Sequence, residues 1–178
     1  MCFSRHLPTM KGRWLASLLI VVSGLLCISP MASGTVPSDW KKVDAEGRFS
    51  FFLPPDMEEH PVKGIDSYVG EYRNSDVALS FDYGWWSDSF KYYPSRPQYQ
   101  EATVEIDGKA AKVITFFRSE HDNPFPYVAA IHFADVGTGP GEGGMITKLT
   151  LWADCKSPAD QDIAKEIFSS IKFPRPRK

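Results

Sequence analysis

The stretch Glu101–Phe117, EATVEIDGKAAKVITFF, decides the fold because it encodes a β-hairpin whose register is fixed. Asp107-Gly108 is a two-residue turn that accepts the positive φ angles of a type I′ turn. Apolar residues alternate on both sides of this turn, and a shift of one position would move all of them to the wrong face. The turn and the hydrophobic pattern agree on three cross-strand pairs: Val104 with Ala111, Ala102 with Val113, and Thr103 with Lys112.

Alternating apolar residues predict further strands on both sides of the hairpin. The longest alternation runs through Val77, Leu79, Phe81, Tyr83 and Trp85, with smaller or polar residues between them. Such a pattern is typical of a half-buried antiparallel strand. The other predicted strands are Phe49–Leu53, Tyr68–Tyr72, Tyr127–Phe133 and Met145–Ala153, the last two being joined by the glycine-rich stretch Gly137–Gly144.

One helix is predicted after the last strand. Ser157 is a suitable N-cap, Pro158 suits the first helical position, and Asp160 completes the spacing of a capping box. Pro174 and Pro176 are expected to end the helix. The sequence therefore predicts an α+β fold, an antiparallel sheet of about six to eight strands with a C-terminal helix packed on one face. The apolar stripe of this helix consists of Ile163, Ala164, Ile167, Phe168 and Ile171.

Residues 1–34 have the pattern of a cleaved signal peptide. A basic start precedes the apolar run Trp14–Ile28, and Ala32 and Gly34 are small enough for the cleavage-site pockets. The run is shorter than the roughly 20 residues that span a bilayer. We expect a secreted or periplasmic protein with one domain at 35–173 and a basic tail at 174–178. A less favoured alternative is lipidation at Cys27, which would tether the protein to a membrane.

Removal of residues 1–34 changes the charge balance. The full chain of 178 residues has 20 basic and 22 acidic residues, and the remaining 144 have 17 and 22, a net charge of −5. This balance argues against a nucleic-acid-binding protein, which needs a basic face. Cys155 would be the one remaining cysteine, so no internal disulfide is expected.

The most unusual feature is the aromatic segment Phe81–Tyr99, FDYGWWSDSFKYYPSRPQY, with eight aromatic residues in 19. Its first alternating residues, Phe81, Tyr83 and Trp85, are expected in the core. Exposed aromatic side chains supply large, rigid contact area for binding. The alternative is that the segment folds back and covers the sheet with its own rings. The predicted ligand site, for a protein, peptide or saccharide, consists of Trp86, Tyr92, Tyr93, Arg96, Asp82 and Asp88.

Catalytic chemistry has weaker support. A composite site of His121, His132 and Asp135 would suit a hydrolase, but these residues lack the spacing of a zinc site. Cys155 precedes a helix N-terminus, which lowers a thiol pKa. Cys155 is interpreted first as a half-buried unreactive cysteine, with a reactive thiol as the alternative. A further alternative is a structural subunit of an oligomer, joined through an exposed strand edge or through an intermolecular disulfide of Cys155. We predict no catalytic residue, no metal and no cofactor.

Two further motifs have ordinary interpretations. Gly137–Gly144 is rich in glycine but lacks the Lys and Ser/Thr of a phosphate-binding loop, so it is interpreted as a flexible connection. Glu58 and Glu59 precede His60-Pro61 in a segment rich in turn residues and are interpreted as a solvated surface.

The element order resembles the PsbP-like superfamily, which includes an extrinsic photosystem II protein, a yeast Ran-release factor and many exported bacterial proteins. The resemblance covers about Trp40 to Phe173 and depends on structural motifs. It implies the α+β fold and a binding or assembly role, and it transfers no catalytic residue. The matching motifs are GRFSFFLPPD at Gly47–Asp56, VEIDGKAAKV at Val104–Val113 and IFSSIKF at Ile167–Phe173.

Overall fold

The computed structural model of the protein describes residues 35–118, 124–138 and 145–175. The predicted signal peptide and His121 lie outside these residues, as do most of the glycine-rich connection and the end of the basic tail. The elements are β1 Lys41–Asp44, β2 Ser50–Leu53, β3 Glu58–His60, β4 Tyr68–Arg73, β5 Val77–Gly84, β6 Gln100–Ile106, β7 Lys109–Phe117, β8 Tyr127–Thr138, β9 Ile146–Cys155 and α1 Pro158–Ser169.

The strands form two antiparallel sheets. Seven strands pair in the order β3-β4-β5-β9-β8-β7-β6, and β1 pairs with β2 in a separate two-stranded sheet. The α+β fold class is confirmed, although the small sheet was not predicted. The segment that contains Glu58 and Glu59, interpreted as turn-rich, forms the short edge strand β3. Within the part of the chain that the structure describes, no helix is long and apolar enough to cross a membrane.

The hairpin β6–β7 has the predicted register. Val104 pairs with Ala111, Ala102 with Val113, and Thr103 with Lys112. Asp107 and Gly108 have φ angles of 51° and 77°, as a type I′ turn requires. The register that the local sequence specifies is therefore the register found in the sheet.

Helix α1 also begins as predicted but ends earlier. The Ser157 side chain accepts a hydrogen bond from the Asp160 backbone, and the Asp160 carboxylate accepts one from the Ser157 backbone. The predicted end at Pro174 is wrong, because the helix ends at Ser169. The Ser170 hydroxyl accepts a hydrogen bond from the Phe52 backbone at 2.9 Å, and Lys172 forms a β-bridge with Ser50. Contacts with β2 therefore end the helix before the prolines.

The two faces of the seven-stranded sheet are covered differently. The helix face packs against α1 and the small sheet around a continuous apolar core that contains Phe49, Phe51, Phe81 and Phe168. On the opposite face, here named the loop face, residues 85–99 form the covering loop. A second apolar cluster lies beneath this loop and contains Phe90, Ile114, Phe116, Val128 and Ala130. The covering loop is the element that positions the candidate site.

Candidate functional site

The covering loop is anchored to the loop face by aromatic rings. Phe90 is 1% exposed, and its ring centroid lies 5.8 Å from that of His132 and 6.2 Å from that of Trp152. Tyr93 stacks on Phe116 at 5.4 Å and contacts Trp152 at 5.3 Å. The alternative that the aromatic segment covers the sheet with its own rings therefore holds for Phe90 and Tyr93.

A buried polar network also holds the loop to the sheet. The Thr150 hydroxyl on β9 donates to the Asp88 carbonyl at 2.9 Å, and the Ser87 hydroxyl hydrogen-bonds to the same Thr150 oxygen. His132 Nδ1 lies 2.9 Å from this oxygen as well. Burial lowers the pKa of His132, as do the nearby charges of Lys148 and Lys112, whereas Asp88 opposes the shift. His132 is therefore a buried, hydrogen-bonded residue that favours the neutral state.

The backbone of the loop is strained at two positions. Phe90 has a φ of 63° and Gln98 a φ of 56°, in the left-handed region that residues with a side chain rarely adopt. The Phe90 backbone donates to the Asp88 carboxylate at 2.8 Å, and the Phe117 backbone donates to the Pro97 carbonyl at 2.8 Å. Such strain persists only where the surroundings over-determine the conformation, and it clusters at functional sites.

Two aromatic side chains of the loop point into solvent. Trp86 is 80% exposed and Tyr92 is 79% exposed, although both lie close in sequence to the buried Phe90. The Lys91 ammonium lies 5.6 Å from the Tyr92 ring centroid. Arg96 is exposed too, and its backbone donates to the Tyr93 carbonyl at 2.9 Å. The loop therefore presents two large aromatic groups and a guanidinium on a fixed backbone.

The other predicted site residues are placed differently. Tyr93 is half-buried, and its hydroxyl donates to the Asp88 carboxylate at 2.8 Å, so these two side chains shape the loop. Asp82 is half-buried on β5, where it pairs with Val69 of β4 and Thr150 of β9. Of the three residues expected in the core, Phe81 is buried, while Tyr83 and Trp85 are half-buried.

An open cleft lies beside the covering loop where the loop leaves the sheet uncovered. Its volume is about 320 Å³, at the small end of ligand pockets. Asp82 and Asp88 are the lining residues that the sequence pattern predicts, and the other lining residues were not predicted. Ser80 lies two positions before Asp82 on β5, and Trp152 lies two positions after Thr150 on β9, so each pair shares a face of the sheet. This spacing is the sequence signal that could have identified Ser80, Thr150 and Trp152 as lining residues. The side-chain lining consists mainly of Val62, Val69, Glu71, Ser80, Asp82, Asp88, Thr150 and Trp152.

One carboxylate oxygen at this cleft has no partner. Asp82 Oδ1 is buried and accepts no hydrogen bond from any described residue. Burial raises the pKa of Asp82 and the charge of Asp66 adds to this rise, whereas a hydrogen bond from the Ser67 side chain opposes it. Leaving a buried acceptor without a donor is unfavourable by about 1–3 kcal/mol. Asp82 is therefore a destabilising feature of the free protein.

The structure does not bring together the residues of the alternative hydrolase site. His132 is buried against Thr150, whereas Asp135 is exposed and accepts from the Gly137 backbone at 2.8 Å. His121 lies outside the described residues, and within those residues no group of three metal-ligating side chains occurs. Cys155, the candidate reactive thiol, is fully buried, and burial raises its pKa to about 12. That burial supports the unreactive interpretation and opposes both the reactive thiol and the intermolecular disulfide.

Comparison with known proteins adds a likeness to a solved structure. No protein-family model matches this chain, and no curated protein sequence matches it. The chain is similar to the solution structure of cyanobacterial PsbP (CyanoP) from Synechocystis sp. PCC 6803, with 16% identity and a TM-score of 0.47. The likeness covers 79% of this chain and 95% of that chain. The fold class follows from the strand order itself.

Proposed function

We propose that this protein is a non-enzymatic binding or accessory protein that captures a protein, peptide or saccharide through the covering loop. Trp86 and Tyr92 supply the contact area, Arg96 supplies a directional charge, and Asp82 and Asp88 border the adjoining cleft. The observation that carries the proposal is the contrast within the loop, where Phe90 is 1% exposed and Trp86 is 80% exposed.

General physical chemistry supports a binding role for the exposed aromatic side chains of the loop. Exposing a tryptophan gives up about 1.5–3 kcal/mol of burial free energy that a core position would have supplied. Aromatic side chains with arginine are the residues that most often dominate the energetics of interfaces. A backbone already held in a strained, packed conformation loses little entropy when a partner binds, which favours affinity. The order of the strands and helix also supports placing the chain in the PsbP-like superfamily.

Affinity capture from an envelope extract of the source organism tests the proposal. The wild-type protein is compared with Trp86→Ala and Tyr92→Ala, and Trp86→Phe and Tyr92→Phe serve as matched controls that keep an aromatic ring. We expect a specific partner whose recovery falls at least about tenfold in the alanine variants and is largely kept in the phenylalanine variants. Equal recovery by all five proteins would contradict the proposal.

Export to the cell envelope is a separate part of the proposal, and the pattern of residues 1–34 supports it. Cleavage after Gly34 would leave Thr35 as the first residue of the mature protein. Intact-mass measurement of the protein from a periplasmic or secreted fraction tests this expectation. A mass that includes residues 1–34 would contradict cleavage, and a lipid-sized mass increase on a chain beginning at Cys27 would support the tethered alternative.

A further inference from the structure

The two edges of the seven-stranded sheet are protected to different degrees. Edge strand β3 has three residues, Glu58–His60, and Pro61 follows it directly. The opposite edge strand β6, Gln100–Ile106, has seven residues without a proline, and its register with β7 is continuous. Natural sheets protect their edges with short strands, prolines or bulges, because an unpaired edge accepts another strand. Strand β6 has none of these three protections.

The hairpin turn determines which backbone groups of β6 face the open edge. In a two-residue hairpin the residues that flank the turn, here Ile106 and Lys109, form a hydrogen-bonded pair. Bonded and non-bonded pairs alternate along antiparallel strands, so Glu101, Thr103 and Glu105 direct their N–H and C=O groups away from β7. These three residues are exposed, and no described residue outside the β6–β7 pair bonds to their backbone. Their donors and acceptors are therefore available to an extended chain.

The side chains of β6 divide between the two faces of the sheet. Val104 and Ile106 belong to the core on the helix face. The residues that alternate with them therefore lie on the loop face, and these are Glu101, Thr103 and Glu105. Opposite charges on directly opposite residues of neighbouring strands attract, whereas like charges repel. A strand added beside β6 is therefore favoured if it carries basic residues opposite the two glutamates.

The existing contacts of the glutamates separate a foreign strand from a second copy. Glu101 accepts from the Tyr99 hydroxyl and pairs with Lys112 Nζ at 3.3 Å. Glu105 forms no ion pair with any described residue, so its charge is open to a partner. A second copy paired antiparallel and centred on Thr103 would place Glu101 directly opposite the copy's Glu105, which is unfavourable. The charge pattern therefore favours a basic strand over self-pairing.

We propose that the β6 edge binds an extended basic segment of a partner protein, which adds as an antiparallel strand beside Gln100–Ile106. Backbone hydrogen bonds to Glu101, Thr103 and Glu105 hold the segment, and a basic residue opposite Glu105 selects it. The inference goes beyond the proposed function, because this edge is a second surface that does not include Trp86.

Amide exchange in the presence of a designed peptide tests the proposal. The probe is N-acetyl-Thr-Lys-Val-Thr-Val-Lys-Thr-amide, whose lysines have the same spacing as the two glutamates of β6. Exchange is followed by ¹H–¹⁵N NMR at low ionic strength. At a peptide concentration of about ten times its Kd, the amides of Glu101, Thr103 and Glu105 should exchange about tenfold more slowly. The amides of Ala102 and Val104 should change little, since they already bond to β7.

Two control peptides separate the contributions of charge and backbone. Replacement of both lysines with glutamate should weaken binding at least about fivefold, because each cross-strand attraction becomes a repulsion. N-methylation of the central threonine removes one backbone donor and should also weaken binding at least about fivefold. Equal binding of the lysine and glutamate peptides, equal slowing of all β6 amides, or no slowing up to about 10 mM peptide would overturn the proposal.

Two variants locate the site on the protein. Thr103→Pro removes an outward N–H, which an edge strand tolerates where that group faces solvent, and should weaken binding of the lysine peptide at least about tenfold. The matched control Thr103→Val keeps the N–H and should change binding less than about twofold. Glu105→Lys leaves the backbone intact and should reduce the preference for the lysine peptide to less than about twofold. Wild-type binding by a folded Thr103→Pro, or an unchanged preference in Glu105→Lys, would overturn the assignment.

Two further measurements identify a competing occupant and separate the failures. A dimer at micromolar concentration that Thr103→Pro dissociates would assign the edge to a second copy and overturn the proposal. Partner capture that depends on Trp86 while the lysine peptide fails to bind would remove this inference and leave the proposed function standing. Peptide binding combined with capture that ignores Trp86→Ala would support this inference and remove the proposed function.

Discussion

The helix face and the loop face of the same sheet differ in how their side chains are buried. On the helix face, α1 and the small sheet bury a continuous set of side chains that follows regular periodicity. On the loop face, an irregular segment covers part of the sheet with Phe90 and Tyr93. It leaves Trp86 exposed and the Asp82 carboxylate without a full set of partners. We infer that the helix face supplies stability and that the loop face gives up stability for recognition.

The strongest test of this comparison is the loss of a large side chain from the helix face. Phe168→Ala should lower the free energy of unfolding by about 3–5 kcal/mol, because the ring is fully buried between α1 and the sheet. Urea denaturation measures the change. Glu166→Ala on the exposed side of the same helix should stay within about 0.5 kcal/mol. A loss below about 1 kcal/mol for Phe168→Ala would mean that the helix face does not dominate stability.

A matched truncation on the loop face should have a smaller and more local effect. Phe90→Ala removes an equally buried ring, but the covering loop can move away from the sheet, so we expect a loss of about 2–3 kcal/mol. Hydrogen exchange should rise throughout residues 85–99 and stay unchanged in α1, as local opening predicts. A uniform rise over the whole sheet would show that the two faces unfold together and would remove the distinction between them.

The third prediction concerns the unfavourable burial of Asp82. Its pKa is raised in the folded protein, so its stability contribution is full below the ordinary pKa of 3.8 and is lost as the pH rises through the raised value. Asp82→Asn should therefore raise the free energy of unfolding by about 1 kcal/mol at pH 7. In paired urea titrations the gain should shrink as the pH falls through the raised pKa, and it should be smallest below the ordinary value of 3.8. A destabilised Asp82→Asn at pH 7 would show that the carboxylate supports the fold.

The smallest effect is expected at the two exposed aromatic residues. Trp86→Ala and Tyr92→Ala should each change the free energy of unfolding by no more than about 0.5 kcal/mol, because neither ring is part of a core. Urea denaturation of the same preparations used for partner capture provides the measurement. Losses above about 1.5 kcal/mol would indicate a structural role and would weaken the binding interpretation.

The parts of the fold that could be predicted from the sequence are those determined by residues close together in the chain. The β6–β7 register follows from Asp107-Gly108, and the start of α1 follows from Ser157 and Asp160, all within a few residues of the structure they specify. Strand β1, KKVD, has no apolar alternation to reveal it, since three of its four residues are exposed. The end of α1 depends on Phe52, which lies over a hundred positions away and leaves no trace in the helix sequence.

The candidate site was predicted only in outline, and the reason is also physical. The aromatic segment has no period after Gly84, so its pattern cannot tell which rings turn inward. Burial of Phe90 and exposure of Tyr92 follow from the left-handed backbone at Phe90 and from contacts with β7 and β9. The environment that leaves the Asp82 Oδ1 oxygen without a donor is built by residues of three strands, so it could be seen only in the three-dimensional arrangement.

The central seam between β5 and β9 has a consequence for the order of folding. Its paired residues lie between 64 positions apart, for Gly84 with Lys148, and 78 positions apart, for Val77 with Cys155. Closing so long a chain segment loses entropy before any contact compensates, whereas β4–β5 and the meander β6 to β9 pair locally. We expect these two units to form first and the seam to close last. The covering loop crosses that seam, so its rings can reach β9 only in a chain whose two halves have already joined.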